Sequence, residues 1–142
     1  MVAISFSVFK DKIITGEKTQ TIRPYSEKRY KSIVKNKKLQ LYWKLRTKHT
    51  EKLADAVLED IQIIRLYAPL QLSFFDSEQT TIGWIHRWDG HKWVKVVAEE
   101  MRDIAKRDGF DSISDMYHFF QKKYGKKIFG MNFMLIRWRV VS

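Results

Sequence analysis

The segment Gly16-Glu17-Lys18-Thr19-Gln20-Thr21-Ile22-Arg23-Pro24 places a lysine, two threonine hydroxyls and an arginine within eight residues, then stops at a proline. Such a grouping can hold a phosphate, a nucleobase or a polarised carbonyl. It can equally be the polar start of an exposed strand, and spacing alone leaves both readings open.

Two elements have to position these side chains. Upstream, Val8-Phe9-Lys10-Asp11-Lys12-Ile13-Ile14 has apolar residues at helical spacing, and Gly16 suits the helix stop. Downstream, Thr19, Thr21 and Arg23 alternate with Gln20 and Ile22, which predicts a short strand. A helix end thus hands over directly to a strand bearing the cation and hydroxyls.

Around this unit the chain predicts a mixed fold. Val2 to Phe9 alternates as a strand, and Lys38 to Leu45 is another, with Leu39, Leu41 and Trp43 facing one way. A long β segment runs from Leu53 to Tyr67. Its apolar residues Val57, Ile61, Ile63 and Ile64 break strict alternation, which predicts a bulge or bend as in a small barrel. Pro69 ends it, and residues 70–80 read as a loop with Phe74 and Phe75 tucked into the body. Residues 81–97 read as a hairpin with a two-residue Asp89-Gly90 turn. Its Trp84, Trp88 and Trp93, interleaved with His86, Arg87 and Lys92, either form a stacking platform for unpaired bases or pack onto the barrel. Val96, Val97, Met101, Ile104 and Ala105 mark a helix that Gly109 terminates. Ser112 then caps a second helix through Tyr124, with Asp115 at capping-box distance. Gly125 and Gly130 bracket a basic turn before a last strand.

Composition excludes several classes. With 142 residues and 44% hydrophobic content, one globular domain with a sizeable core is expected. No run approaches the roughly 18 apolar residues of a membrane span, and Met1 leads straight into a strand-like segment without a leader pattern. The chain has no cysteine, so it has neither disulfides nor thiolate metal sites, which suits a cytoplasmic location. His49, His86, His91 and His118 lack metal-ligand spacing. No metal or cofactor is called for.

Charge is the second informative feature. Residues 10–48 hold thirteen basic and three acidic side chains, which is +10 of the net +11. The remaining residues nearly cancel. Segregated, unbalanced positive charge points to a polyanion, through counterion release on binding phosphates. This stretch is not one amphipathic helix, so nucleic acid is favoured over a membrane surface.

The segment from Phe9 to Arg23 resembles the opening signature of the ASCH domain, a family of the PUA-like superfamily, in which a short helix ends in Gly-x-Lys-Thr and runs into x-Thr-Ile-Arg. Ala105-Lys106-Arg107-Asp108-Gly109-Phe110-Asp111-Ser112-Ile113 resembles the family's acidic-Gly-Phe turn between two helices, and Phe133 to Arg139 resembles its closing strand. The resemblance implies a small, mostly antiparallel β-barrel with covering helices, an α+β fold, spanning residues 1–142 with a hairpin insertion near 81–97. Some members are amidohydrolases of acetylated cytidine using a Lys, a Thr and a Glu. Matching residue by residue gives Lys18, Thr21 and Asp108, the last one methylene shorter than glutamate; Asp111 and Glu100 are nearby acids. Lys18 and Thr21 point to opposite faces of an ideal strand, so the chemistry requires Lys18 in the helix–strand turn. Other members bind RNA, and some are linked to ribonuclease activity, for which Lys18 or His86 would be the base.

The sequence therefore points first to a module that binds RNA or nucleotides in a basic cleft, with Lys10, Lys18, Arg23, Arg29, Lys31, Lys38, Lys44, Trp84 and Arg87 as contacts. The alternative is a small amidohydrolase acting on a modified nucleoside through Lys18, Thr21 and Asp108.

Overall fold

In a computed structural model that describes residues 1–67 and 84–141, short apolar runs alternating with polar residues become the strands of one curled sheet. β1 (Val2–Phe6) buries Val2, Ile4 and Phe6 and pairs in parallel with β3 (Lys38–Trp43). Between them come α1 (Lys10–Thr15), β2 (Gln20–Pro24) and α2 (Glu27–Asn36). β4 (Glu51–Leu66) is the long central strand: one edge pairs with β3 and then β5 (Ile85–Trp88), the other with β7 (Asn132–Val140). β6 (Trp93–Lys95) pairs with β5, and β2 pairs with the far edge of β7. Among the described strands every pairing except β1–β3 is antiparallel, and the sheet curls into a half-barrel. The break in alternation predicted in the long strand is present as a register shift between Leu58 and Asp60.

The helices cover the sheet. α3 (Ala98–Arg107) presents Met101, Ile104 and Ala105, and α4 (Ile113–Tyr124) is capped by Ser112, whose hydroxyl accepts from the Asp115 N–H at 3.0 Å. Both pack with β5, Ile22, Phe133 and Leu135 in one hydrophobic cluster. β1, β3, Ile13 and Ile33 form a second cluster with Met134, Ile136 and Trp138. Successive β7 side chains therefore enter opposite cores, as the period-2 geometry of a strand requires.

Several expectations change. The first strand stops at Phe6 rather than Phe9, because the chain turns at Phe9, which adopts φ 63°. α2 forms within the basic stretch on a Ser26 cap and a buried Ile33. The hairpin turn spans Asp89–Lys92 instead of two residues. The Asp89 carboxylate accepts from the His91 and Lys92 N–H groups, each at 2.8 Å, and so builds a wider turn. Pro69, the loop at 70–80 with Phe74 and Phe75, and the start of the hairpin at 81–83 lie outside the described residues. Among those described, no helix is long and apolar enough to cross a membrane.

Candidate functional site

Lys18 sits in the connection between α1 and β2, off the strand. Backbone bonds fix that connection: the Lys18 N–H donates to Lys12 O and the Thr19 N–H to Arg107 O, both at 2.9 Å. The α3–α4 turn is thereby held against the α1–β2 turn. Gly109 makes the approach possible. It lies at φ 102°, and a methyl group there would stand 3.1 Å from the Phe9 ring.

This juxtaposition buries a lysine against an aspartate. Lys18 is 3% exposed and Asp108 is 4% exposed. The Lys18 ammonium donates to the Asp108 carbonyl at 2.5 Å and lies 3.7 Å from its carboxylate Oδ2. It also lies over the Phe9 and Phe6 rings. Gln20 Nε2 donates to Asp108 Oδ1 and to Ile104 O, each at 3.1 Å, while its Oε1 accepts from Arg137 Nε at 2.9 Å. Burial pushes the Lys18 amine below its ordinary value; Asp108 opposes that and Arg23 adds to it. Burial pushes the Asp108 carboxyl up, against the pull of Lys18. In both groups burial favours the uncharged form, and the partner's charge opposes it.

Thr21 and Arg23 complete the site from β2. Arg23 Nε donates to Thr21 Oγ1 at 2.9 Å, which leaves the hydroxyl hydrogen free to be given away. Arg23 Nη2 donates to Ser5 O at 2.6 Å, and its guanidinium lies over Phe6. Lys18, Thr21, Arg23 and Asp108 line one cleft of about 60 Å³, walled by Phe9 and Phe110. At ~10–15 Å³ per water centre it has room for a handful of waters, enough for an acyl group or the edge of a base.

The other expected contacts do not converge there. Lys10 pairs with Glu51 at 3.1 Å and Lys31 with Glu27 at 3.0 Å. Lys44 lies over the Trp43 ring, and Lys38 is exposed at the start of β3. Arg29 donates to Ala3 O at 2.6 Å, outside the cleft. Two assignments are corrected. Trp84 is fully buried with its ring against Tyr117, so it offers no face to a base; burying so large a ring is worth more than exposing it. Arg87 is held by both oxygens of Glu100 and is not a free cation. The alternative acids are also placed elsewhere: Glu100 is the partner of Arg87, and Asp111 is an exposed partner of Lys12. His86 packs on Tyr67, away from the cleft.

Sequence reasoning missed Gln20, Ser5 and Lys123. Gln20 carried a signal, being a polar residue on the same strand face as buried Ile22. Lys123 lines the cleft from α4 while remaining exposed, and no sequence pattern distinguishes it from the other lysines of that helix. No family model, no curated protein and no solved structure matches the chain.

Proposed function

We propose that the protein is an ASCH-type, PUA-like hydrolase that removes an acyl group from the exocyclic nitrogen of a nucleobase, with Lys18 as base and Thr21 as nucleophile. The observation that carries this reading is the burial of Lys18 against Asp108 in the cleft that also holds Thr21. The Thr21 hydroxyl, which accepts from Arg23 Nε, lines the same cleft as this lysine. The curled, mostly antiparallel sheet with covering helices is in keeping with the PUA-like assignment.

The chemistry balances without any added group. Uncharged Lys18 takes the Thr21 proton as Oγ1 bonds to the acyl carbon and the carbonyl π pair moves onto the acyl oxygen, while the Arg23 Nε–H, which donates to Oγ1, holds the nucleophile in place. The Lys18 ammonium returns the proton to the amide nitrogen as the C–N bond breaks, releasing the free base amine. Water then attacks the acyl-threonine, freeing the carboxylic acid and restoring Thr21. Asp108 acts through Lys18, holding its amine by carbonyl and carboxylate.

The test is incubation with N4-acetylcytidine, with cytidine and acetate followed by chromatography. Turnover should fall by roughly 10⁴-fold or more in Thr21→Val and in Lys18→Met, with circular dichroism showing that each variant is folded. Absence of turnover by the native chain on both this nucleoside and its 5′-phosphorylated form, or turnover that survives Thr21→Val, sinks the assignment. Charge segregation favours a second reading, binding of RNA without chemistry. Lys28, Lys35, Lys37, Lys38 and Lys48 are exposed, and none forms an ion pair among the described residues.

A further inference from the structure

A second space, a groove of about 570 Å³, runs beside the cleft, and Ser5 and Arg23 line both. The charged side chains lining the groove are Arg23, Arg29 and Arg46; Ser5 and Ser32 contribute hydroxyls, and no carboxylate lines it among the described residues. Two of the arginines are preset by backbone. Arg29 Nη2 donates to Ala3 O and Arg23 Nη2 to Ser5 O, both at 2.6 Å. These are alternate carbonyls on the edge of β1 that no described strand pairs with. Each such bond uses one of the five N–H groups of a guanidinium and leaves others for a ligand. Arg46 is exposed, adopts φ 67° just beyond β3, and forms no ion pair or side-chain hydrogen bond among the described residues.

Three guanidiniums facing one groove without a carboxylate in its lining repel one another; burial depresses Arg23 most, Asp108 in the cleft opposes that, and the Arg29 charge adds to the lowering. Such an array is completed by an anion with several acceptor oxygens, and phosphate matches the forked donors of arginine. Because Arg23 touches both Thr21 in the cleft and the groove, an anion in the groove and a base in the cleft would belong to one molecule.

We infer that the groove holds the phosphate of a nucleotide whose base enters the cleft, so that the true substrate is a phosphorylated nucleoside. The inference rests on the proposed reading of the cleft as a nucleobase site. A free nucleoside would then be a poor substrate that leaves the three arginines unused.

The test is a comparison of binding by calorimetry, using cytidine and cytidine 5′-monophosphate at fixed ionic strength. The native protein should bind the monophosphate at least tenfold tighter, and the ratio of the two affinities should fall to near unity in Arg46→Gln. Arg46 is exposed, so the variant should fold; Arg29→Gln provides an independent second loss of the ratio. A cytidine trinucleotide run alongside separates a phosphomonoester from a phosphodiester of a strand, and a gain in either that Arg46→Gln removes supports the groove. Equal affinity for the nucleoside and its phosphorylated forms overturns the inference, as does an advantage that survives both substitutions. The two proposals fail separately. Hydrolysis of N4-acetylcytidine with no phosphate advantage removes only the groove, and a phosphate advantage with no hydrolysis of either N4-acetylcytidine or its 5′-monophosphate removes only the chemistry.

Discussion

Lys18 and Asp108 occupy a setting that penalises both of their charges, and the sign of each influence yields a test. Asp108 raises the Lys18 amine while burial and Arg23 lower it. Activity needs the uncharged amine, so the rate should climb with pH through a Lys18 value below that of an ordinary lysine. Asp108→Asn removes the raising influence but keeps an oxygen for Gln20. The ascending limb of kcat/KM should therefore move to lower pH. A limb that stays in place, or moves up, means that Lys18 is not the base. Much of this site was legible in the sequence, because Lys18, Thr21 and Arg23 are adjacent in the chain and Asp108 lies in a recognisable turn. That Asp108 reaches Lys18 was not legible. The closeness depends on the α3–α4 turn docking on the α1–β2 turn, and no local pattern encodes the distance. Gln20 stayed hidden for a related reason: its partners Asp108 and Arg137 are 88 and 117 residues away.

The site's precision lies in the contact between those two turns. Phe9 holds a left-handed backbone at φ 63°, a conformation costly for a bulky residue, and its ring fills the space over Gly109. Gly109→Ala places a methyl group against that ring at a φ disfavoured for any residue with a side chain. The variant should lose about 1–3 kcal/mol in urea denaturation. Because Phe9 also walls the cleft, KM should rise as well. A variant as stable as the native chain would mean that the turns are not held as tightly as described. Strands with strict alternation, such as β1 and β3, were readable from the sequence, as were α3, from its apolar spacing, and α4, from its Ser112 cap. The hairpin turn was not, because the Asp89 carboxylate overrode the two-residue preference of Asp-Gly. α2 was obscured by its own charge, since in its polar run of lysines and arginine Ile33 is the one side chain that is buried.

Across the whole molecule, the charge excess of residues 10–48 remains largely solvent-facing, with a minority of its cations paired to carboxylates. If this face tracks a single strand, the affinity for a short RNA should fall linearly with salt on logarithmic axes, by about 0.7 per phosphate contacted. Replacing Lys28, Lys35 and Lys38 together with glutamine should flatten that slope by about 2. An unchanged slope, measured by fluorescence anisotropy, would assign the charge to solubility alone. β7 also governs how the molecule comes apart. It forms a wall of both hydrophobic clusters, so neither core can lose its packing while the other keeps an intact boundary. Two cores that share a strand melt together, and partial unfolding that frees the helices from the half-barrel is suppressed. The cleft is thus protected by the cooperativity of the two joined cores, and a destabilising change in either core lowers the fraction of competent molecules without distorting those that remain folded.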